Sequence, residues 1–437
     1  MERNPIPTPF SEKLSELYPD HATQILQAME EEPIAAIHLN NRKPSDLFDS
    51  SDRVLWNEFG RYADASIVHG KEPLWHAGAY YSMEPASQVI DHVLRSIRSK
   101  IKIQTALDLC AAPGGKSMVV LNALPQSAVL VSNEIHPQRA GVLLENSIKW
   151  GRENHMVVQS NATQIAESGL KFDVVLVDAP CSGEGMFRRI EIARSEWSAA
   201  NVEQCAIRQN EILDEIVEAI HPGGFLVYST CTFDPSENDL QIERLLETDD
   251  WIHFPIALEG PIETKYGLQF APGVTKSEGL YVAVLQRKGE QPEATFPLGS
   301  DSGNGGLDEG FASGIDPDSL YVFGEQQRYI PAQVQGPLNV LKSNKVRVLK
   351  AGIGVARKKG KTWVPSHELA LWSSYNSAPR LELNDEQAIS FLQGDAGRGE
   401  APKGWLLASY KGLSLGWIKG VGNRWNNAYP SKYRMRK

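Results

Sequence analysis

Two cysteines, Cys181 and Cys231, each follow an apolar run that has the length and β-branched content of a buried strand. Asp178 belongs to the same turn as Cys181, in the segment DAPCSGEG. A thiolate is a strong nucleophile, and a neighbouring acid or base can move the protons that covalent catalysis requires. Because parallel sheets hold ligands at the carboxyl ends of their strands, we expect both thiols and the carboxylate to meet at one edge. The spacing does not decide which thiol attacks.

A glycine-containing turn, LDLCAAPGGKS, follows an earlier strand at residues 107–117. Its glycine pair allows a ligand to approach the backbone closely. A Walker A motif is excluded because Cys110 stands where that motif requires glycine. Glu134 ends the next strand, 20 positions after the turn, and is placed to accept hydrogen bonds from ribose hydroxyls. NAD and S-adenosylmethionine both contain such a ribose. The sequence has no GxGxxG to cradle a pyrophosphate, which favours S-adenosylmethionine as the cofactor.

The charge is distributed unevenly along the chain. The net charge is −10, yet residues 321–437 hold 19 Lys+Arg against 7 Asp+Glu. A basic module with aromatic side chains is typical of a protein that binds single-stranded or looped RNA. For each single Trp, packing in a core is the simpler interpretation. The candidate RNA contacts are Lys342, Lys345, Arg347, Arg357, Lys358, Lys359, Lys361, Trp417, Trp425 and Tyr429.

The composition limits the class of protein. With four cysteines and no CxxC or CxxH pattern, we expect no metal site and a reducing, cytoplasmic environment. Cys205 lies on an amphipathic helix and is predicted to pack in the core. There is no apolar run long enough to span a membrane, and the first residues lack the apolar region of a secretory signal, so no membrane partner is expected.

Strands and helices alternate from about residue 103 onward. The apolar runs IQTALDLC, AVLVSNEI, HMVVQS, FDVVLVDAP and GGFLVYSTCT are typical of buried parallel strands, and helical stretches separate them. This alternation predicts a doubly wound α/β sheet. The helix over 201–220 carries an apolar stripe and is predicted to stop at Pro222-Gly223-Gly224. A late strand at 279–288 is predicted to close the edge of the sheet.

We expect four segments. Residues 1–100 form a small N-terminal α/β extension that binds RNA, and residues 101–288 form the domain that holds the cofactor. The Gly/Pro/Ser/Asp-rich residues 289–320 are predicted to be a linker. Residues 321–437, rich in Trp and β-forming residues, are predicted to form a mainly β, basic, RNA-binding domain.

Three of these motifs together resemble a known family. LDLCAAPGGKS, VLVDAPCSGEG and YSTCT resemble the signature motifs of the RNA cytosine-C5 methyltransferases of the NOL1/NOP2/Sun type, and the resemblance extends from about Pro9 to Arg287. The tail LSLGWIKGVGNRWNNAYPSKYR is similar to the C-terminal region of the bacterial 16S ribosomal RNA branch. The resemblance implies a Rossmann-like class I methyltransferase sheet, mostly parallel with seven strands, and S-adenosyl-L-methionine as cofactor.

The resemblance also implies residue roles. Cys231 is implied to be the nucleophile that attacks C6 of cytosine, and Cys181 to assist product release. Asp178 is implied to contact the base, and Lys116 to lie between cofactor and target. The implied cofactor-binding residues are Cys110, Ala111, Ala112, Pro113, Gly114, Gly115, Lys116, Glu134, Arg139, Asn161 and Asp178. Family members usually carry an aspartate at the position of Asn161; its side-chain oxygen still accepts a hydrogen bond, and an ordinary turn residue is the alternative interpretation.

Alternative functions remain open at this point. The chain is expected to be a monomer that methylates ribosomal RNA. A catalytically silent RNA-binding or ribosome-assembly factor would keep the same fold, and the same chemistry could act on transfer RNA or on DNA. The intact pair of cysteines favours an enzyme, and methyl transfer to RNA from labelled cofactor distinguishes the possibilities.

Overall fold

The computed structural model describes residues 4–292 and 310–436, so most of the predicted linker over 289–320 lies outside the described residues. The N-terminal part begins with two helices and continues with a three-stranded antiparallel sheet in the order β2-β1-β3. Its elements are α1 (Thr8–Leu17), α2 (Ala22–Ala28), β1 (Ala36–Leu39), β2 (Gly60–Tyr62), α3 (Pro73–His76) and β3 (Tyr80–Ser82).

The central part alternates strands and helices. Its elements are α4 (Ile90–Arg98), β4 (Thr105–Asp108), α5 (Gly115–Ala123), β5 (Val129–Asn133), α6 (Pro137–Trp150), β6 (His155–Gln159), α7 (Ala162–Glu167), β7 (Phe172–Asp178), α8 (Glu191–Glu196), α9 (Ala199–Ile216), β8 (Ile220–Thr230), α10 (Asp239–Leu246), β9 (Trp251–His253), β10 (Ile262–Glu263), β11 (Gly267–Phe270) and β12 (Leu280–Arg287).

The C-terminal part is mainly β, as predicted, with three helices. Its elements are β13 (Leu320–Phe323), β14 (Gln326–Tyr329), α11 (Ala332–Ser343), β15 (Arg347–Ala351), β16 (Ile353–Lys359), β17 (Thr362–Pro365), α12 (His367–Leu371), β18 (Arg380–Glu382), α13 (Asp385–Gln393), β19 (Gly397–Tyr410) and β20 (Leu413–Asn427). Two small sheets in this part have the orders β13-β14-β16-β17 and β18-β19-β20.

The central sheet confirms the predicted Rossmann-like architecture. Strands β8, β7, β4, β5 and β6 are neighbours in this order and pair in parallel. Successive residues face opposite layers: Ala106 packs in the core that contains Val93 of α4, whereas Leu107 packs in the core that contains Leu213 of α9. Burial on both faces explains why these strands are continuous apolar runs in the sequence.

Among the described residues the central sheet has ten strands, whereas seven were predicted. Strand β12 pairs antiparallel with β8, but β11 and β10 extend the sheet beyond it, so β12 is not the edge. At the opposite side β15 pairs antiparallel with β6. A strand from the C-terminal part therefore completes the central sheet, and the pairing gives the backbone groups of β6 partners on both sides.

One smaller prediction also changes: Pro222-Gly223-Gly224 lies inside β8, and α9 already ends at Ile216. Trp417 and Trp425 are 2% and 3% exposed, which confirms the simpler interpretation that each packs in a core. Tyr429 is 4% exposed, so none of these three aromatic side chains presents a stacking surface. Cys205 is buried on α9, as predicted. Among the described helices, none combines the length and apolar character needed to cross a membrane.

Candidate active site

The two predicted thiols meet at the carboxyl edge of the central sheet. Cys181 lies in the loop after β7, and Cys231 directly follows β8, the parallel neighbour of β7. Their Sγ atoms are 3.0 Å apart, and the backbone N–H of Cys231 donates to Cys181 Sγ at 3.2 Å. Both side chains are partly exposed. Either sulfur can donate the hydrogen bond between them, so each thiol is placed to exchange a hydrogen with the other.

Hydrogen bonds to two buried carboxylates join the loop that carries Cys181 to the loop that carries Cys231. Glu184, in the loop of Cys181, accepts hydrogen bonds from the hydroxyl of Thr232 at 2.7 Å and the N–H of Phe233 at 2.9 Å. In the other direction, Glu237 accepts from the N–H of Ser182 at 3.0 Å. These reciprocal bonds hold the residues beside each cysteine on the partner loop. The distance between the sulfur atoms is thus set by a buried network, and each bond to a charged group contributes roughly 1.5–3 kcal/mol.

Lys116 connects the thiol pair with the glycine turn. Its Nζ lies 2.9 Å from Asp178 Oδ2 and 3.3 Å from the hydroxyl of Ser87. The hydroxyl of Ser229 donates to Asp178 Oδ1 at 2.8 Å. Burial alone would lower the pKa of Lys116, but the charge and hydrogen bond of Asp178, together with the charges of Cys231 and Glu84, outweigh it and raise that pKa. Lys116 is therefore positively charged at neutral pH. Its charge stabilises negative charge on Asp178 and on the neighbouring Cys231.

Cys181 is expected to be protonated and slow to react at neutral pH. Its hydrogen bond with Cys231 and its burial raise the pKa of its thiol well above the ordinary value. A higher pKa lowers the thiolate fraction, so we expect iodoacetamide at about pH 7.5 to modify Cys181 at least about tenfold more slowly than a free thiol. In Cys231→Ala the rate at Cys181 should rise, since the hydrogen bond is lost. Peptide mapping by mass spectrometry measures both rates; equal Cys181 rates in the two proteins would contradict this assignment.

A cleft of about 240 Å³ lies beside Lys116 and under the glycine turn. The predicted residues Cys110, Ala111, Ala112, Pro113, Gly115, Lys116 and Asp178 all line it. Neither Cys181 nor Cys231 lines this cleft. The ion pair of Lys116 and Asp178, which does line it, lies between the cleft and the two thiols.

Steric constraints explain why both positions of this turn are glycine. Gly114 has φ of +120°, a conformation that side chains rarely adopt. A Cβ at Gly115 would approach the Tyr81 ring to 3.3 Å, so the second glycine keeps the floor of the cleft open. From α6, Arg139 Nη2 donates to the carbonyl of Ala112 at 2.8 Å and lies 3.4 Å from Glu134 Oε2. The turn is thus held by a hydrogen bond from Arg139, and the ion pair with Glu134 positions the Arg139 side chain.

Four of the predicted cofactor residues lie around the cleft and do not line it: Gly114 of the turn, and Glu134, Arg139 and Asn161. Glu134 is buried, and its Oε1 accepts the N–H of His136 at 2.9 Å. Arg139 is exposed and holds the turn as described. Asn161 is exposed at the start of α7, where its side-chain oxygen accepts the N–H of Gln164 at 2.8 Å. That bond is a helix N-cap, which accounts for Asn161 as a local structural residue. Binding roles for all four residues stay predictions.

Several residues of the cleft carried no signal in the sequence. Tyr81, Ser82, Met83, Glu84 and Ser87 come from the N-terminal part, and Met186 and Arg189 from the loop after Cys181. The N-terminal residues lie around the junction of β3 and α4, in the segment YYSMEPAS, which resembles an ordinary connection. Only the packing of the N-terminal part against α5 brings them to the cleft.

The cleft fits the predicted cofactor in one further respect. Asp108 ends β4, is fully buried and lines the cleft, and its Oδ1 has no hydrogen-bond partner among the described residues. A buried carboxylate oxygen without a donor is costly unless a ligand supplies one. S-adenosylmethionine is a nucleoside that carries a cationic amino-acid group, so its polar groups match both this oxygen and the backbone of the turn.

Comparison with known proteins agrees with this arrangement. Residues 100–286 match the family model described as 16S rRNA methyltransferase RsmB/F, residues 6–85 the N-terminal domain of 16S rRNA methyltransferase RsmF, and residues 378–435 the methyltransferase RsmF PUA domain. Ribosomal RNA small subunit methyltransferase F of Aeromonas salmonicida is 30% identical over 415 residues, covering 87% of this chain and 84% of the relative. The protein of the same name from Photobacterium profundum is 28% identical and covers 97% and 96%.

Solved structures show the same fold. A methyltransferase homologue from Pyrococcus horikoshii superimposes with a TM-score of 0.56 at 24% identity, over 64% of this chain and 94% of that chain. NSun6 from Pyrococcus horikoshii gives a TM-score of 0.55 at 18% identity, over 65% and 99%. Together with the relatives of similar length, these findings show that the chain belongs to the RsmB/F family of S-adenosylmethionine-dependent RNA cytosine-C5 methyltransferases.

Proposed function

We propose that this protein methylates C5 of a cytosine in 16S ribosomal RNA through a transient covalent bond between Cys231 and C6 of the base. The observation that carries the proposal is the pair of thiols 3.0 Å apart beside the ion pair of Lys116 and Asp178. The names of the full-length relatives support 16S ribosomal RNA as the substrate. Transfer RNA is the second candidate substrate.

Addition of the thiolate is the first step. C5 of cytosine is a weak nucleophile, and addition of Cys231 Sγ to C6 breaks the C5–C6 double bond and moves electron density to C5 and to the N3/O2 side. Lys116 and Asp178 lie next to the thiols, and we assign them to this side of the base. Asp178 contacts N3, and the ammonium of Lys116 neutralises the charge that develops there. When bound, the cofactor supplies the electrophilic methyl group.

Release of the product is the second step. After methylation, a water molecule takes the original proton from C5, the C5–C6 double bond re-forms, and Cys231 Sγ leaves as a thiolate. Cys181 is assigned to this step, because its Sγ is within hydrogen-bond distance of the leaving sulfur. Its thiol can stabilise the departing thiolate by donating a hydrogen bond.

We assign cofactor binding to the predicted set of residues around the cleft. Residues of the turn from Cys110 to Lys116 line the cleft, and Asp178 lines it on the side nearest the thiols. Glu134 is assigned to the ribose, in keeping with its place at the end of β5. Arg139 and Asn161 are the outermost members of the set, and the contacts described above support a positioning role for Arg139.

RNA binding is assigned to the N-terminal segment 1–100 and to the C-terminal segment 321–437. The match of residues 378–435 to a PUA domain supports the C-terminal part. Within it, Arg357, Lys358, Lys359 and Lys361 are all exposed at the end of the β16–β17 hairpin. The protein is proposed to act as a monomer in the cytoplasm, and light scattering at micromolar concentration tests the oligomeric state.

Charge substitutions test the hairpin as an RNA anchor. Truncation at residue 321 would also remove β15 from the central sheet, so point substitutions are the cleaner design. In Lys358→Gln/Lys359→Gln the slope of log affinity for RNA against log salt should fall by about 1.4, since each lost phosphate contact contributes about 0.7. The matched control is Lys102→Gln/Lys288→Gln, at two exposed lysines outside both segments assigned to RNA binding, where we expect no change. Equal slopes in both variants would remove the hairpin from the RNA surface.

Bisulfite sequencing tests the substrate directly. Ribosomal RNA from cells that lack this protein should lose one or more 5-methylcytosines, and the purified protein with labelled S-adenosylmethionine should restore them. Loss of methylation in transfer RNA alone would favour the second candidate. If neither RNA gains label from the purified protein, an assembly factor without catalytic activity is the better description.

A further inference from the structure

Phe323 is the most exposed aromatic side chain in residues 4–292 and 310–436, with 40% of its surface exposed. It ends β13, which is an edge strand of the sheet β13-β14-β16-β17. Tyr321 lies two residues earlier and therefore on the same face of the strand. The two ring planes are 18° from parallel, and their centroids are 6.4 Å apart. One face of this edge strand thus presents two nearly parallel aromatic rings.

A pocket of about 210 Å³ lies between these rings and helix α11. The two rings line it from β13, and Gln335, Asn339 and Lys342 line it from α11. These helix residues are four and three positions apart, so they share one face of α11. The buried side chain of Leu338, from the same helix, also lines the pocket. The lining therefore combines aromatic surface with amide and ammonium groups.

This combination of groups matches an unpaired nucleobase. Aromatic side chains stack on the faces of unpaired bases, and polar side chains form hydrogen bonds with their edges. The side-chain amides of Gln335 and Asn339 each offer both a donor and an acceptor. Gln335 Nε2 donates to the carbonyl of Ile330 at 3.2 Å, which fixes the orientation of this amide. A flat ring system with polar edges is thus the ligand that both sides of the pocket can contact.

Lys342 adds a positive charge to the pocket. Its Nζ lies 4.1 Å from the centroid of the Phe323 ring. Burial, and then the charge of Arg328, lower the pKa of this lysine. Among the described residues, no carboxylate forms an ion pair with it. A phosphate next to a bound base would supply that missing negative charge.

The pocket adjoins the basic β16–β17 hairpin within one sheet. Phe323 pairs with Gln326 of β14, and Gln326 pairs with Arg357 of β16. Neighbouring strands lie about 4.8 Å apart, so the backbones of Phe323 and Arg357 are roughly 10 Å apart. A single strand of RNA that places a base in the pocket can therefore pass its phosphates along the hairpin.

The pocket is distant from the thiols but lies toward the same edge of the central sheet. Lys342 precedes β15 by five residues, and Arg347, the first residue of β15, pairs with Gln159, the last residue of β6. The carboxyl ends of β6, β7 and β8 share one edge, where Cys181 and Cys231 lie. Four strand spacings, roughly 19 Å, separate β6 from β8. A base in the pocket is therefore not the cytosine that receives the methyl group.

We propose that the pocket between β13 and α11 binds an unpaired base of the substrate RNA against the rings of Tyr321 and Phe323, with Lys342 beside the adjoining phosphate. The inference rests on the proposed RNA-binding function of residues 321–437. The bound nucleotide is a second one, outside the catalytic centre, and its binding positions the RNA for reaction at the thiols.

Phe323→Leu tests the stacking contact. Leucine keeps an apolar side chain at this position but has no aromatic face. Affinity for a single-stranded RNA oligonucleotide of mixed sequence, measured by fluorescence anisotropy, should fall by about 5- to 50-fold, in the range of one lost stacked base. The slope of log affinity against log salt should stay that of the wild type, because no phosphate contact is lost. Phe323→Tyr keeps the ring and should restore the affinity.

Lys342→Gln separates the phosphate contact from the stacking contact. In this variant the slope of log affinity against log salt should fall by about 0.7, the contribution of one phosphate contact to a single strand. An unchanged slope would show that Lys342 does not contact a phosphate.

An abasic RNA isolates recognition of the base. An oligonucleotide of the same length that contains only ribose and phosphate keeps every backbone contact. The wild type should bind it more weakly than the normal RNA, and Phe323→Leu should bind it as the wild type does. Equal losses of affinity for both RNAs in Phe323→Leu would show that the ring does not contact a base and would overturn the proposal.

Tyr266→Leu is the matched control. Tyr266 is a partly exposed ring with a lysine ammonium over it, since Lys265 Nζ lies 5.0 Å from its centroid. It lies between β10 and β11, outside both segments assigned to RNA binding. Its substitution should leave the affinity for both RNAs unchanged. Circular dichroism of each variant verifies folding before binding is measured.

The outcomes separate the inference from the function on which it rests. If the wild type binds no RNA, the proposed RNA-binding function fails, and the inference fails with it. If Lys358→Gln/Lys359→Gln lowers the salt slope while Phe323→Leu binds RNA as the wild type does, only the inference is wrong. If uridine monophosphate binds the wild type as tightly as the oligonucleotide does, the pocket serves a free nucleotide and the assignment to RNA is wrong.

Discussion

A Cys231→Ala variant is expected to lose methyl transfer to RNA by a factor on the order of 10⁴ or more, the range seen when an enzyme loses its nucleophile. Without the thiolate, C6 receives no addition and C5 stays too weak a nucleophile to accept the methyl group. Affinity for S-adenosylhomocysteine should stay near that of the wild type, because Cys231 does not line the cofactor cleft. Single-turnover transfer from labelled cofactor measures the first quantity, and calorimetry the second.

Cys205→Ala is the control for this experiment. Cys205 is a buried thiol on α9, outside the candidate site, and its replacement should leave the rate of methyl transfer within a few-fold of the wild type. Residual transfer by Cys231→Ala within tenfold of the wild type would show that the covalent step does not depend on this thiol.

A Cys181→Ala variant is expected to accumulate a covalent protein–RNA adduct. The Sγ of Cys181 lies 3.0 Å from that of Cys231, where it is placed to assist departure of the nucleophile. Without it, addition and methylation still proceed, but elimination slows, and the protein remains bound to RNA through Cys231. On a denaturing gel the variant should migrate as a larger species only after incubation with both RNA and S-adenosylmethionine.

Two controls define the nature of that species. Ribonuclease treatment should return it to the mobility of the free protein, and Cys181→Ala/Cys231→Ala should form none. An adduct in Cys231→Ala and none in Cys181→Ala would exchange the two roles. The geometry gives a reason for the expected direction, since the hydrogen bond with Cys231 and burial raise the pKa of the Cys181 thiol and so disfavour Cys181 as the attacking thiolate.

The sequence by itself determined the parallel strands of the central sheet and the choice of candidate reactive groups. Strands buried on both faces need continuous apolar runs, and a tight turn over a ligand needs glycine, so both features are visible locally. The order of strands also placed Asp178, Cys181 and Cys231 at one edge, because all parallel strands end there. These are consequences of local chemistry and of a topology with few alternatives.

Only the tertiary structure decided the rest. Tyr81, Met83 and Glu84 reach the cofactor cleft because the N-terminal part packs on α5, and no local pattern encodes that contact. β15 adds to the central sheet by pairing across the chain with β6. Trp417 and Trp425 in the basic tail were candidates both for stacking on RNA and for packing in a core, because an aromatic side chain has the same sequence signal in either place. The structure shows that both are buried.

The same contrast applies to Asp108. The sequence places it beside the glycine turn, but a carboxylate in a turn is ordinary. In the structure, three serines and a histidine on β5, β6, α5 and α6 form one buried hydrogen-bonded chain that ends at Asp108 Oδ2. The other oxygen of Asp108, Oδ1, has no donor among the described residues. Burial and hydrogen-bond direction depend on neighbours distant in the chain, and for this reason the fold alone decides them.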